Sequence, residues 1–202
     1  MIITIGRQFC SGGSEIGRKL SEKLGIPYYD KNIMKYAAEN NGLSEDYVQK
    51  IEEKPSATFL YSMAMFPYAE FGGVSSFIPN SVSVSADQSE YILKKAEEGP
   101  CIFVGRSADV VLAERKDVLN VFIYSDMEHR LIRAGERYGL TEKEATRSIQ
   151  QTDKKRASYY NMNSRDKKWG VKDSYHLMID SGTLGIDGAV ELLATAYQAL
   201  SK

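Results

Sequence analysis

The chain has 202 residues, 43% hydrophobic and 26% charged, with a formal net charge of −1 at pH 7. That length is most simply one domain with a sizeable core, and the composition is that of an ordinary globular protein. The near-zero charge gives no support to a general nucleic-acid partner, and Cys10 and Cys101 make no disulfide framework.

The chain opens MIITIGRQFCSGGSEIGRKLSEKLG. Ile2 to Ile5 is a β-branched run, the mark of a buried parallel strand. From Ser14, the apolar positions Ile16, Leu20 and Leu24 recur every four residues, which predicts a helix stopped by Gly25. IPYYD reads as a short extended piece, Lys31 to Glu39 as a helix, and Ser44 as the start of another. From Pro55 to Ser85 no single period fits. This aromatic, glycine-broken stretch reads either as core-facing helical pieces and loops or as a mobile lobe or subunit contact.

Asp87 to Glu98 is predicted helical. CIFVGR and VLNVFIYS are the second and third strands. Asp126 to Tyr138 is a helix with Arg130, Arg133 and Arg137 near one face. Thr141 to about Tyr160 is another, with Thr141 and Glu144 as its start signal. YHLMID is the fourth strand, and GIDGAVELLATAYQAL a closing amphipathic helix. Alternating strands and helices predict a parallel sheet with helices on both faces. Met1 runs straight into a strand without a basic, apolar leader. The stretch from Thr58 to Ile78 is interrupted by Pro67, glycines and Glu70. The expectation is a cytoplasmic protein with no membrane partner.

Three stretches carry chemistry. A strand, a glycine-rich turn and a helix N-terminus form an anion site, because backbone N–H groups and the helix dipole converge there. Gly12 and Gly13 would let the backbone approach an oxygen closely. FVGRSADVVL puts Arg106 at the C-terminal end of a strand, where open parallel sheets bind ligands and a guanidinium offers a fork for phosphate. TDKKRASYYNMNSRDKKWG concentrates lysines and arginines, as a solvated helix face or as a lid over phosphates.

With these in place, the chain resembles the cytidylate kinase family, most closely its divergent cytidylate-kinase-like branch. The resemblance implies a three-layer P-loop NTPase fold: a five-stranded parallel sheet flanked by helices, in one domain over 1–202. It implies an acceptor region at about 31–85 and a lid at about 150–172. It implies ATP and Mg²⁺, and transfer of the γ-phosphoryl group to a pyrimidine nucleoside monophosphate. Carried across, Ser11, Gly12, Gly13 and Ser14 hold donor phosphates, and the Ser14 hydroxyl reaches Mg²⁺. Asp30, Arg106 and Asp109 serve the acceptor. Lys154, Lys155, Arg156 and Arg165 form the lid. The segment 58–80 is a candidate homo-oligomer contact.

Against the pattern GxxxxGK[ST], Arg7 stands where the first glycine belongs and Gly13 where the lysine belongs. Losing such a contact costs ~2.7–4 kcal/mol by analogy with a lost oxyanion donor. Arg7 is the expected replacement cation, since a loop side chain can turn inward, whereas Arg18 is placed for the exposed face. Ser107 stands where the family has an aspartate, which leaves base recognition open. A nucleotide-binding protein without transfer activity, and a kinase for another small acceptor, are the competing readings. Asp180 is expected to cap the turn before Gly182 rather than sit near a metal. Cys10 would have a lowered pKa if exposed, and reads first as a small loop filler.

Overall fold

The structure, a computed structural model, describes residues 1–44 and 80–201. The helix expected from Ser44 and most of the aromatic segment at 55–85 lie outside the described residues. The chain divides into two compact units, Met1–Asp30 with Lys95–Lys202, and Lys31–Lys94.

The first unit is built on a five-stranded sheet. Its strands are β1 (Ile2–Arg7), β2 (Tyr28–Tyr29), β3 (Ile102–Val104), β4 (Val118–Tyr124) and β5 (Leu177–Asp180), in the order β2-β3-β1-β4-β5. Every pairing is parallel, with Ile3 opposite Ile102 and Leu119, and Ile123 opposite Ile179. The short IPYYD piece is the edge strand β2, so YHLMID supplies the fifth strand.

Helices cover both faces, which is why the strands read as nearly continuous apolar runs. On one face, Ile3, Ile5, Val121 and Ile123 meet Ile16 and Leu20 of α1 (Gly13–Leu24) and Leu193 of the closing helix. Each such side chain contributes about 1.5–3 kcal/mol by leaving water. On the other face, Phe122 packs against Tyr160 and Tyr175, and Trp169 meets the Phe122 ring edge-on at 5.1 Å. There Thr4 Oγ1 donates to Asn120 Oδ1 at 2.7 Å, which satisfies a buried polar pair between β1 and β4.

The helix boundaries follow their signals. Gly25 takes a left-handed conformation and returns its N–H to Ser21 O. In the second unit, α2 (Lys31–Asn40) packs Met34, Ala37 and Ala38 with Val84 of α3 (Asn80–Glu97), which begins earlier than the expected Asp87. After β3 come α4 (Ala108–Val111), α5 (Met127–Tyr138) and α6 (Glu142–Asn163). Asp126 caps α5 through the His129 N–H, and Thr141 and Glu144 form a reciprocal capping box on α6.

The closing helix α7 (Ser181–Leu200) starts one turn earlier than its periodicity suggests. Gly185, at φ 69° and ψ 171°, breaks that first turn from the rest. Asp180 caps it, accepting from the Gly182 and Thr183 N–H groups, as expected. No helix among the described residues is long and apolar enough to cross a membrane.

Candidate functional site

The site residues gather where β1 and β3 end. Arg7, the last residue of β1, sends its stem across the start of α1. A Cβ on Gly13 would stand 2.6 Å from Arg7 Cβ and 2.9 Å from its Cγ. The guanidinium then reaches Gly105, which has φ +76° and whose Cβ would collide with Arg7 Nη1. Arg7 Nη2 lies 3.5 Å from Asp30 Oδ1, a long contact for a charged pair. Its Nε is buried and finds no hydrogen-bond partner among the described residues.

Asp30 is held from the other side. The Tyr28 hydroxyl lies 3.0 Å from Asp30 Oδ2 and 3.1 Å from Ser14 O. Burial, then the Asp30 carboxylate, push the Tyr28 phenol well above its ordinary range, so it stays a donor. This tyrosine brings the one carboxylate paired with Arg7 among the described residues to the first turn of α1.

Two more arginines join Arg7. Arg106 follows Gly105 in a run of left-handed residues, with φ 58° at Arg106 and 48° at Ser107. Two successive non-glycine residues in that region mark backbone strain held by the surroundings. Burial pushes the Arg106 guanidinium down to about 10, with Arg7 adding to the fall while Tyr159 and Asp30 oppose it. Arg156 of α6 donates from Nη1 to Arg7 O at 3.1 Å. Burial pushes it down to about 9, and the charges of Arg7 and Arg106 contribute. Arg106 and Arg156 are thus both poorly solvated and both within range of the Arg7 charge.

The loop from Gln8 to Gly12 is tied to the scaffold. Ser11 is 2% exposed, and its hydroxyl lies 3.0 Å from Gln8 O and 3.1 Å from Ile123 O. Its carbonyl accepts from Ser181 Oγ at 2.6 Å. The Ser11 side chain therefore shapes the loop from beneath. Gly12 caps α1 at φ +80°; a Cβ there would meet the Ile186 side chain, and Arg133 lies just beyond. So Gly13 makes room for Arg7, and Gly12 for Ile186.

Further residues brought here carried no site signal in the sequence. Phe9 N–H donates to Asp153 Oδ1 at 2.7 Å, and Arg130 Nε donates to Phe9 O at 2.8 Å. Glu15 pairs with Arg133, and with Arg137 at 2.8 Å. Burial pushes the Glu15 carboxyl up, but these two arginines outweigh it and hold it below its ordinary range. The arginine face of α5 was visible as a spacing, but its partners were not.

The remaining expected residues are placed as follows. Asp109 sits on α4, buried; the Tyr160 hydroxyl donates to it at 2.6 Å, and Lys167 Nζ lies 3.7 Å away. Burial holds its carboxyl above the ordinary range, against the pull of Tyr160 and Lys167. Lys154 is exposed on α6, Lys155 is half-buried, and Arg165 is exposed beyond the helix. Arg18 is exposed and pairs with Glu22. Cys10 is half-buried, and burial pushes its thiol up despite the nearby Arg130, Arg133 and Arg156. The condition for a lowered thiol pKa, exposure at the helix N-terminus, is not met.

Comparison with known proteins agrees with this architecture. The family model described as the cytidylate kinase-like family matches residues 2–183. A cytidylate kinase of Methanopyrus kandleri is 24% identical over 214 residues, covering 99% of this chain and 94% of its own length. An uncharacterized protein from Eubacterium ventriosum superposes with a TM-score of 0.73 at 25% identity, over 98% of this chain and 99% of that one. Shikimate kinase from Bacteroides thetaiotaomicron superposes with a TM-score of 0.53 at 15% identity, over 98% of each chain, a likeness of fold.

Proposed function

The chain belongs to the cytidylate kinase-like family, and we propose that it transfers the γ-phosphoryl group of ATP to a pyrimidine nucleoside monophosphate of the cytidylate type. The observation that carries this is the charge balance at the end of β1 and β3. Among the described residues, the charges of Arg7, Arg106 and Arg156 act on one another, Asp30 faces Arg7 at long range and Asp153 is shared with Arg130. Confined positive charge of this kind is costly alone and favourable around a polyanion. A phosphoryl group in transit spreads negative charge over its oxygens and needs such a surround.

In this proposal Arg106 grips the acceptor phosphate and Arg156 the moving phosphoryl group. Lys154 and Lys155 add charge from α6. Arg7 supplies the cation that Gly13 cannot. Gly12 to Ser14 offer the N-terminus of α1, with Ser11 fixing the loop's shape. Asp30 serves the acceptor, and Asp109 acts through Tyr160 by holding α4, and so Arg106, in place. Mg²⁺ would be held by the Ser14 hydroxyl and the Asp30 carboxylate, both hard oxygen donors; Tyr28 makes the two residues neighbours by bridging the Ser14 backbone carbonyl and Asp30. Bound there with the donor phosphates, it would neutralise charge on their oxygens.

The test is a panel of nucleoside monophosphates with ATP and Mg²⁺, followed by ADP release. Turnover should be fastest with cytidylate or another pyrimidine monophosphate. Nucleotide-dependent thermal stabilisation without turnover on any acceptor would instead mean a binding protein. Turnover only on a non-nucleotide alcohol would move the acceptor class.

A further inference from the structure

Two helices distant in sequence hold the loop between β1 and α1. Asp153, on α6, accepts the Phe9 N–H at 2.7 Å through Oδ1. Its Oδ2 accepts from Arg130 Nη2 of α5, and Arg130 Nε donates back to Phe9 O at 2.8 Å. Both polar groups of the Phe9 residue are thereby tied to one ion pair. Arg130 is 4% exposed, so the pair is screened little by solvent. One helical turn along α6, Arg156 donates to Arg7 O and lies over the Phe9 ring at 5.7 Å, while Tyr138 of α5 stacks on that ring at 5.6 Å.

These contacts fall on a stretch that has to be shaped. Cys10, the next residue, sits at φ 60°, and Gly12 at φ 80°. The direction of every following amide depends on where the Phe9 peptide is pinned. A lysine inside such a loop would supply charge from within, and here its place is filled by the Arg7 stem.

We propose that the Asp153–Arg130 pair is the positioning device of the loop, holding Phe9 so that the amides after it face the donor phosphates. Asp153 and Arg130 act through the Phe9 backbone and touch no substrate. The pair also couples loop shape to α6, so displacement of that helix would release the Phe9 amide. This assignment rests on the donor site proposed above.

The experiment compares wild type, Asp153→Ala and Asp153→Asn by calorimetric titration with ADP and Mg²⁺, and by amide hydrogen exchange without ligand. Loss of a charge-assisted bond to the loop should weaken ADP at least about tenfold in Asp153→Ala. Asp153→Asn keeps an acceptor for Phe9 N–H but loses the ion pair, and should fall between. The Phe9 amide should exchange faster in both variants, while amides of β4 keep their protection. ADP affinity within threefold of wild type in a folded Asp153→Ala, or unchanged Phe9 exchange, overturns the proposal. If Asp153→Ala does not fold, Asp153→Asn decides alone: wild-type affinity and exchange overturn it, and losses in both support it. A wild-type protein that binds no ADP would sink the donor site itself, and Phe9 exchange would then still decide whether the pair sets the loop.

Discussion

The side chain of Arg7 occupies the space that a side chain at Gly13 would need, with Arg7 Cβ 2.6 Å from the position of a Gly13 Cβ. The two departures from the loop pattern, at positions 7 and 13, are therefore sterically coupled. A residue with a stem at position 7 closes position 13, and a glycine at 13 lets the arginine cross to Gly105.

Restoring the lysine alone should fail. Gly13→Lys overpacks the Arg7 stem, which costs about 1–3 kcal/mol. Its ADP affinity should fall below wild type. Arg7→Gly with Gly13→Lys should recover part of the loss, with a coupling of about 1–3 kcal/mol between the sites. Additive effects in the double-mutant cycle would contradict the shared space.

Arg106 joins a cation to a left-handed backbone. Arg106→Ala should lower kcat/KM by about 10²–10³, mostly through acceptor KM. Arg106→Gly should lose the same activity while relieving the backbone, so it should be the more stable of the two. Initial rates at varied acceptor, with urea unfolding alongside, separate charge from strain. An unchanged acceptor KM would remove Arg106 from the acceptor site.

Ser107 sits at φ 48°, and its buried hydroxyl has no hydrogen-bond partner among the described residues. Ser107→Gly should stabilise the fold by about 1 kcal/mol, since glycine accepts this conformation without a Cβ clash. The urea midpoint should rise, and a lower midpoint would show that the hydroxyl is held by something else.

Burial raises the Asp109 carboxyl above its ordinary range. In the unfolded chain it returns to about 3.9. Between those two values the folded protein binds more protons than the unfolded one, so this group's contribution to stability grows as pH falls through its folded value and levels off below the unfolded one. The unfolding free energy of wild type minus that of Asp109→Asn should therefore shift in favour of wild type between pH 7 and pH 4. A difference that moves the other way would mean that Tyr160 and Lys167 outweigh burial.

Most of the fold was legible in the sequence, because strand and helix signals are local. The β-branched run at Ile2–Ile5, the period from Ile16 to Leu24 and the Thr141/Glu144 capping box each involve residues a few positions apart. The exceptions are equally local in cause. Gly185 broke the periodicity of α7, so its first turn went unseen. Two tyrosines are too short a run to distinguish β2 from a loop.

Local patterning was enough to specify the parallel α/β scaffold, the glycine-rich turn before α1 and Arg106 at a strand end. Where the side chains around that turn point is set by contacts between distant parts of the chain. Ser11 is drawn under the loop by the carbonyl of Ile123, a residue 112 positions away. Phe9 is pinned by Asp153, 144 positions away, and by Arg130, 121 positions away. Those partners meet because β4 lies beside β1 in the sheet and carries the α5–α6 pair to the loop. Propensity and periodicity act over a few residues, whereas the direction of a loop amide is set by whatever charge the sheet order brings against it.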